Sequence, residues 1–269
     1  MVILDSSAAW QNARRMVWAN RDMLVAISGV FFLLPMLIAA LVLPVPQLTQ
    51  GMNQQQMADV LTKFYTAAAP IALPLSLPML VGYMTILATL LDRDRPTVGA
   101  AMVLALRLFP SYLVAQVLTA LALSVLWVTV LGGLAVIMPQ AIAAIISLLV
   151  MVYPLTRVLL IGPEMVTQRL HNPIRAIIAG LARSRGHFIG MVLYFAPALT
   201  LFVVVYGLVM IFTGAALANV NQPEVQRMVS QVIAGVLVAT GYTYFSAIVA
   251  SAYQQLGPIP PVLNPSSPS

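Results

Sequence analysis

The fold of this chain is decided by residues 108–156, which read LFPSYLVAQVLTALALSVLWVTVLGGLAVIMPQAIAAIISLLVMVYPLT. These 49 residues contain no Asp, Glu, Lys or Arg. A helix needs about 20 apolar residues to cross a hydrocarbon core about 30 Å thick, so the stretch has room for two crossings. Met138, Pro139 and Gln140 lie near its middle. We therefore predict two membrane-spanning helices joined by a tight turn at these three residues.

Four further charge-free stretches extend this pattern to the whole chain. One span begins with residues 23–43, a second occupies 64–91, a fifth lies within 188–217 and a sixth within 228–253. The composition agrees, because 61% of the 269 residues are hydrophobic and only 7% are charged, whereas soluble domains are about 25% charged. The sequence predicts an all-α polytopic membrane protein with six transmembrane helices. The absence of cysteine excludes disulfides, thiolate metal sites and thiol nucleophiles.

The basic residues indicate the orientation of these helices. Eleven of the thirteen precede span 1 or follow spans 2 and 4, whereas the alternate loops hold only Lys63 and Arg227. Because cytoplasmic loops carry an excess of Lys and Arg, both termini are predicted to be cytoplasmic. The loops are short, so we expect no nucleic-acid partner despite the pI near 10.0. The eleven residues are Arg14, Arg15, Arg21, Arg93, Arg95, Arg107, Arg157, Arg169, Arg175, Arg183 and Arg185.

The ends of the chain flank a membrane domain predicted to cover residues 23–256. Residues 1–22 are basic and contain Trp10 and Trp18, which suit the headgroup layer, so we predict an interfacial cytoplasmic helix there. Residues 257–269 are uncharged and rich in proline, and are predicted to form a disordered cytoplasmic tail.

An internal repeat organises the six spans. Pro96 is followed by seven residues and then by Leu104 and Ala105, and Pro173 by seven residues and then by Leu181 and Ala182. Each stretch follows a basic or polar turn and leads into a span, and residues 10–21 occupy the same place before span 1. We therefore predict three helical hairpins, each preceded by a cytoplasmic interfacial helix.

The third interfacial helix is the best defined. Asn172 suits its N-cap and Pro173 its first turn. Clustered cytoplasmic arginines attract anionic lipid at about 1 kcal/mol each near the surface. We therefore predict that anionic lipid headgroups, or a membrane partner, bind Arg169, Arg175, Arg183 and Arg185. The apolar residues of this third helix recur at helical spacing and are Ile174, Ile177, Ile178 and Leu181.

The titratable residues near this helix favour structure over catalysis. Arg157 and Glu164 are seven residues apart, on one helix face, and predict a structural ion pair in which Arg183 or Arg185 is an alternative partner of Glu164. A catalytic carboxylate would need a second acid, base or metal nearby. His171 and His187 are sixteen residues apart and lack metal-ligand spacing. We expect no catalytic residue, no metal and no cofactor.

Two polar patterns within the spans are open to two interpretations. The prolines of span 2 recur every four residues, which is typical either of a broken helix lining a passage or of a bent packing helix. The hydroxyl stripe of span 6 fits helix–helix hydrogen bonding or a pocket for a lipid headgroup. The candidate cavity-lining residues are Pro70, Pro74, Pro78, Tyr242, Ser246 and Tyr253.

A family resemblance runs through the second half of the chain. Ile161-Gly162-Pro163-Glu164 closes a span, Arg183-Ser184 follows on the amphipathic helix, and the last span ends on Tyr253 and Leu256. These residues resemble the membrane domain fused to some bacterial glycerophosphodiester phosphodiesterases, which also occurs alone in inner-membrane proteins of unsettled function. Arg185 stands where that family usually has an aromatic residue. Thirteen residues follow Leu256, so we expect no catalytic barrel.

Three hypotheses about function follow. The favoured one is a non-enzymatic scaffold or accessory subunit in a bacterial inner membrane that contacts anionic lipid or a membrane partner. The alternative is a transporter or flippase for a lipid or a small amphipathic solute. The third is an intramembrane enzyme that uses Glu164 and the two histidines.

Overall fold

The computed structural model of this chain describes residues 6–43, 51–92 and 97–257. Every regular element within these ranges is a helix. In chain order these are α1 (Ser6–Ala19), α2 (Arg21–Ser28), a π-helical turn (Gly29–Leu33), α3 (Leu34–Val42), α4 (Gln54–Leu91), α5 (Val98–Ile137), α6 (Gln140–Val158), α7 (Ile161–Gln168), α8 (Pro173–Arg183), α9 (Phe188–Leu217) and α10 (Pro223–Gln255).

The predicted number of spans is confirmed. Within the described residues, six helical segments are long and apolar enough to cross a membrane. The turn predicted in the long charge-free stretch is confirmed too, because α5 ends at Ile137 and α6 begins at Gln140. The six segments are Arg21–Val42, Gln55–Leu91, Val98–Ile137, Gln140–Gln168, Phe188–Leu217 and Glu224–Gln255.

The first span contains a π-helical turn that was not predicted from the sequence. The N–H of Leu34 donates to the carbonyl of Gly29, five residues earlier, instead of to the residue four back. Pro35 follows at once and has no N–H to donate to Phe31. The wider turn therefore lies where proline has already disturbed the α-helical hydrogen bonds.

Span 2 is one continuous helix. Asn53 and Gln56 form a capping box, in which the Asn53 side chain accepts from the Gln56 N–H at 2.8 Å and the Gln56 side chain accepts from the Asn53 N–H at 3.0 Å. From there α4 continues through Pro70, Pro74 and Pro78 to Leu91. The prolines remove backbone donors without ending the helix, so the broken-helix interpretation is wrong.

The second unit of the predicted repeat also differs from the prediction. No separate helix precedes span 3 within the described residues, because α5 runs without interruption from Val98 to Ile137. In the third unit Gly186, at φ +79°, separates α8 from α9. The α5 segment offers no comparable left-handed glycine, so its hydrogen bonds continue into the span. Pro96, Arg93 and Arg95 lie outside the described residues, as does the predicted tail after Gly257.

Helix α1 is attached to the bundle through small side chains. Ala9, Ala13 and Val17 recur every four residues and are buried, and α1 packs mainly on α10. The Asn12 side chain donates to Ser251 Oγ at 3.2 Å and to Gln254 Oε1 at 3.0 Å. Together with α7, α8 and the adjoining ends of α4, α5, α9 and α10, α1 forms what we call the arginine-rich end.

Candidate functional site

A buried ion pair lies at the arginine-rich end. Arg183 Nε donates to Glu164 Oε1 at 3.0 Å, and the two side chains are 6% and 0% exposed. The hydroxyl of Tyr253 donates to the other carboxylate oxygen, Oε2. Both oxygens of Glu164 are thus bound inside the protein, by residues from two other helices.

The guanidinium of Arg183 is held on several sides. It lies over the ring of Tyr253, with its central carbon 4.1 Å from the ring centroid, in a cation–π contact. One terminal nitrogen donates to the carbonyl of Gly257. The Tyr253 hydroxyl also lies 2.5 Å from Thr167 Oγ1. These five residues, which we call the Glu164 cluster, join α7, α8 and the end of α10.

Close packing of α7 on α8 explains why Arg183 reaches Glu164. A Cβ atom on Gly180 would lie 3.0 Å from the backbone nitrogen of Ile161, so a larger residue would have to push the two helices apart by a few tenths of an ångström. Glu164 lies in the first turn of α7, where the helix dipole favours a negative charge. One turn after Gly180, Arg183 lies beside the carboxylate.

Arg157 pairs elsewhere, which corrects the predicted Arg157–Glu164 pair. Its guanidinium donates to Ser184 Oγ at 2.8 Å, to the Leu181 carbonyl at 2.5 Å and to the Tyr153 hydroxyl at 2.8 Å. The prediction assumed one continuous helix, but α6 ends at Val158 and α7 begins at Ile161. This break moves Glu164 off the face of Arg157, so the alternative partner Arg183 is the correct one.

The four arginines predicted to bind lipid or a partner divide into two groups. Arg175 and Arg185 are exposed, and Arg169 is 63% exposed although it lies 3.7 Å from Asp92. Arg183 is buried in the Glu164 cluster, so its prediction as a lipid contact is wrong. The other three remain available to a ligand at the surface.

Helix α8 exposes two of its large apolar residues on the side away from the bundle. Its buried positions are Ala176, Gly180 and Arg183. Ile174 and Ile178 are 59% and 62% exposed. Small side chains therefore face the protein together with part of Ile177, while Ile174 and Ile178 point outward, which is typical of a helix that borders lipid on its apolar side.

The prolines of span 2 lie largely at the surface of the bundle. Pro70 and Pro74 are exposed and Pro78 is half-buried. In the described part of the chain none of the three lines either of the two surface grooves reported below. Pro70 and Pro74 therefore face outward from a continuous helix. This differs from the prediction that the three prolines line a cavity.

The hydroxyl stripe of span 6 separates into three environments. Tyr242 is 42% exposed and lines a groove of about 560 Å³ between α9 and α10. Ser246 is buried and donates to the Tyr242 carbonyl of its own helix at 2.7 Å. Tyr253 belongs to the Glu164 cluster. Of these three residues, only Tyr242 lines one of the two grooves. Tyr253 forms a hydrogen bond to another helix. Thr243 of the same span does so too, because it bonds to Ser28.

The histidines take local roles. His187 Nδ1 contacts the Arg185 carbonyl at 2.9 Å, and the backbone carbonyl of His171 accepts from Ser111 at 2.5 Å. In the described ranges no group of three or more His, Cys, Asp or Glu is placed to hold a metal ion. With both oxygens bound and no exposed surface, Glu164 has the environment of a structural carboxylate.

The structure brings together residues that are far apart in the sequence. Glu164, Arg183 and Tyr253 are in direct contact. Thr167 was not predicted from the sequence, although its position three residues after Glu164 puts it on the same helix face. The Gly257 carbonyl was not predicted either, because the sequence contains no signal for it. The chain shows no significant match to any protein-family profile, curated protein or solved structure.

Proposed function

We propose that this chain is a non-enzymatic integral membrane module that acts as a scaffold or accessory subunit and binds anionic lipid headgroups at its arginine-rich end. One observation carries the proposal. Helix α8 exposes Ile174 and Ile178 beside Arg175, while Arg183 holds it onto the bundle from the buried side. The result is an amphipathic surface that is held against the bundle.

The chemistry of this surface suits a lipid headgroup layer. Exposed isoleucines enter the boundary between headgroups and acyl chains, and arginine guanidinium groups pair with lipid phosphates. Arg169, Arg175 and Arg185 contribute positive charge at one end of the bundle. We name these three residues the arginine surface. Attraction of about 1 kcal/mol for each arginine near an anionic membrane favours anionic over neutral lipid there.

The same charges support an orientation. Arginines concentrate at one end of the bundle, and loops of this kind stay in the cytoplasm. With an even number of spans, both termini then lie on the cytoplasmic side. The family resemblance adds the bacterial inner membrane to this proposal.

Removing two charges from the arginine surface tests the function. We expect the double variant Arg175→Gln/Arg185→Gln to retain about thirtyfold less phosphatidylglycerol than the wild type, because about 1 kcal/mol is lost for each arginine. The measurement is native mass spectrometry of protein released from lipid discs that contain phosphatidylglycerol and phosphatidylethanolamine.

The matched control removes two charges from the opposite end. Lys63→Gln/Arg227→Gln should leave the retained phosphatidylglycerol unchanged. Equal retention by wild type and both double variants would contradict the proposal. Loss of a stoichiometric protein from the Arg175/Arg185 variant, with lipid unchanged, would assign the surface to a partner protein instead.

The transporter alternative receives less support. Its main evidence was the proline ladder of span 2, and α4 is continuous with Pro70 and Pro74 exposed. The ion pair of Glu164 and Arg183 lies at one end of the bundle and is buried. These features support a fixed module over a moving one.

A further inference from the structure

A second groove opens between the first span and α10. It has a volume of about 320 Å³, and its walls are mostly apolar. Trp18 and Arg21 line one end, Leu33 lies at the other, and Tyr244 lies on the α10 side. We call it the α2–α10 groove.

Missing side chains and a hydrogen bond create this groove. Gly29 lines it at the start of the π-helical turn, and a Cβ atom there would meet no described atom within 4 Å. Ala239 lies on the opposite wall, where its small side chain leaves the groove open. Ser28 and Thr243 bond to each other through their hydroxyls and hold the two helices together behind it.

The length of the groove matches one leaflet of a bilayer. Leu33 lies twelve positions after Arg21, which corresponds to about 18 Å of helix. Half of a hydrocarbon core of about 30 Å is about 15 Å. An acyl chain that starts at the depth of Arg21 would therefore end near Leu33.

The charged end of the groove resembles a headgroup site. Arg21 is 65% exposed at the groove mouth, next to Trp18, a residue type that favours the headgroup layer. Its guanidinium suits a phosphate. Asp22, 93% exposed, lies 3.5 Å from Arg21 Nε and attracts a cation instead. The pair therefore complements a headgroup that carries both a phosphate and an ammonium.

We propose that the α2–α10 groove binds one glycerophospholipid with a zwitterionic headgroup. One acyl chain lies along the groove, the phosphate pairs with Arg21, and the ammonium group lies near Asp22. The larger groove between α9 and α10 carries no such argument, since no charged residue is found among the described residues that line it. This site lies on other helices than the arginine surface and selects a different headgroup, so it goes beyond the proposed function.

Filling the groove is the direct test. Gly29→Leu places a side chain where the acyl chain lies, and the helical φ of −60° accommodates leucine without strain. We expect the delipidated variant to lose the single high-affinity phosphatidylethanolamine that the wild type binds in a native mass spectrometry titration. Gly132→Leu is the matched control, because Gly132 is an exposed helical glycine on α5 with open space at its Cβ. It should bind like the wild type.

Two charge variants test the headgroup and do not depend on how leucine folds at position 29. Arg21→Gln should weaken phosphatidylethanolamine binding about tenfold, the effect of one lost charge-assisted contact. Asp22→Asn should shift the preference toward phosphatidylglycerol. Unchanged binding in Gly29→Leu, or equal wild-type affinity for the two lipids, would overturn the proposal. Arg175→Gln/Arg185→Gln should leave this binding intact, so failure of the groove and failure of the arginine surface are distinguishable.

Discussion

Replacing Arg183 by leucine should lower the free energy of unfolding by about 3–5 kcal/mol, because it leaves the Glu164 carboxylate buried without its counter-charge. Glu164 has no exposed surface, so water cannot take over from the guanidinium. The measurement is thermal and denaturant unfolding of the purified protein in one detergent. Arg175→Leu is the control, because it removes an exposed arginine from the same helix and should change stability little.

The double variant Arg183→Leu/Glu164→Leu separates the ion pair from simple loss of packing. Replacing both members of a buried pair by apolar residues is often close to neutral, so we expect most of the stability to return. A double variant as unstable as Arg183→Leu alone would show that other contacts of α8 carry the effect. If Arg183→Leu were as stable as Arg175→Leu, the Glu164 cluster would not be what holds α8 against the bundle.

The stability of the protein should also depend strongly on a close contact between α4 and the π-helical turn. We expect Gly82→Ala to destabilise the protein by about 1–3 kcal/mol, the usual cost of overpacking. An added Cβ atom would lie 2.4 Å from the Cβ of Phe31, an atom fixed to the backbone of the π-helical turn, so α4 and the first span would have to separate. The melting temperature in detergent reports the change.

An open glycine provides the comparison. Gly133→Ala adds the same methyl group to α5, where a Cβ would meet no described atom within 4 Å. Alanine favours a helix over glycine by about 1 kcal/mol in water, so this variant should match or exceed the wild type. If both alanine variants changed the melting temperature equally, the approach of Phe31 to Gly82 would not limit packing.

The two stability predictions concern opposite kinds of contact. The Glu164 cluster joins α7, α8 and α10 through charges that must be matched inside the protein, whereas Gly82 joins α4 to the π-helical turn through the absence of a side chain. Apolar side chains distinguish poorly between neighbouring helices and lipid, so small residues and polar pairs select the helix contacts in a membrane. The Glu164 cluster and Gly82 therefore help to determine which helices pack against each other.

The sequence by itself determined the number of spans. Hydrocarbon excludes charged side chains, so the lengths of the charge-free stretches predicted six membrane-crossing helices, and the turn at residues 138–140 was confirmed with them. This information is local, since each span can be recognised without knowing its neighbours. The apolar stripe of α8 was readable in the same way.

Only the tertiary structure decided which side chains meet. Arg183 and not Arg157 pairs with Glu164 because the chain breaks between α6 and α7 and because Gly180 brings α8 against Ile161. The α2–α10 groove likewise depends on an open space at Gly29 facing a helix more than 200 residues later. Such contacts depend on the angle at which separate helices pack, and hydropathy along one chain carries no record of that angle.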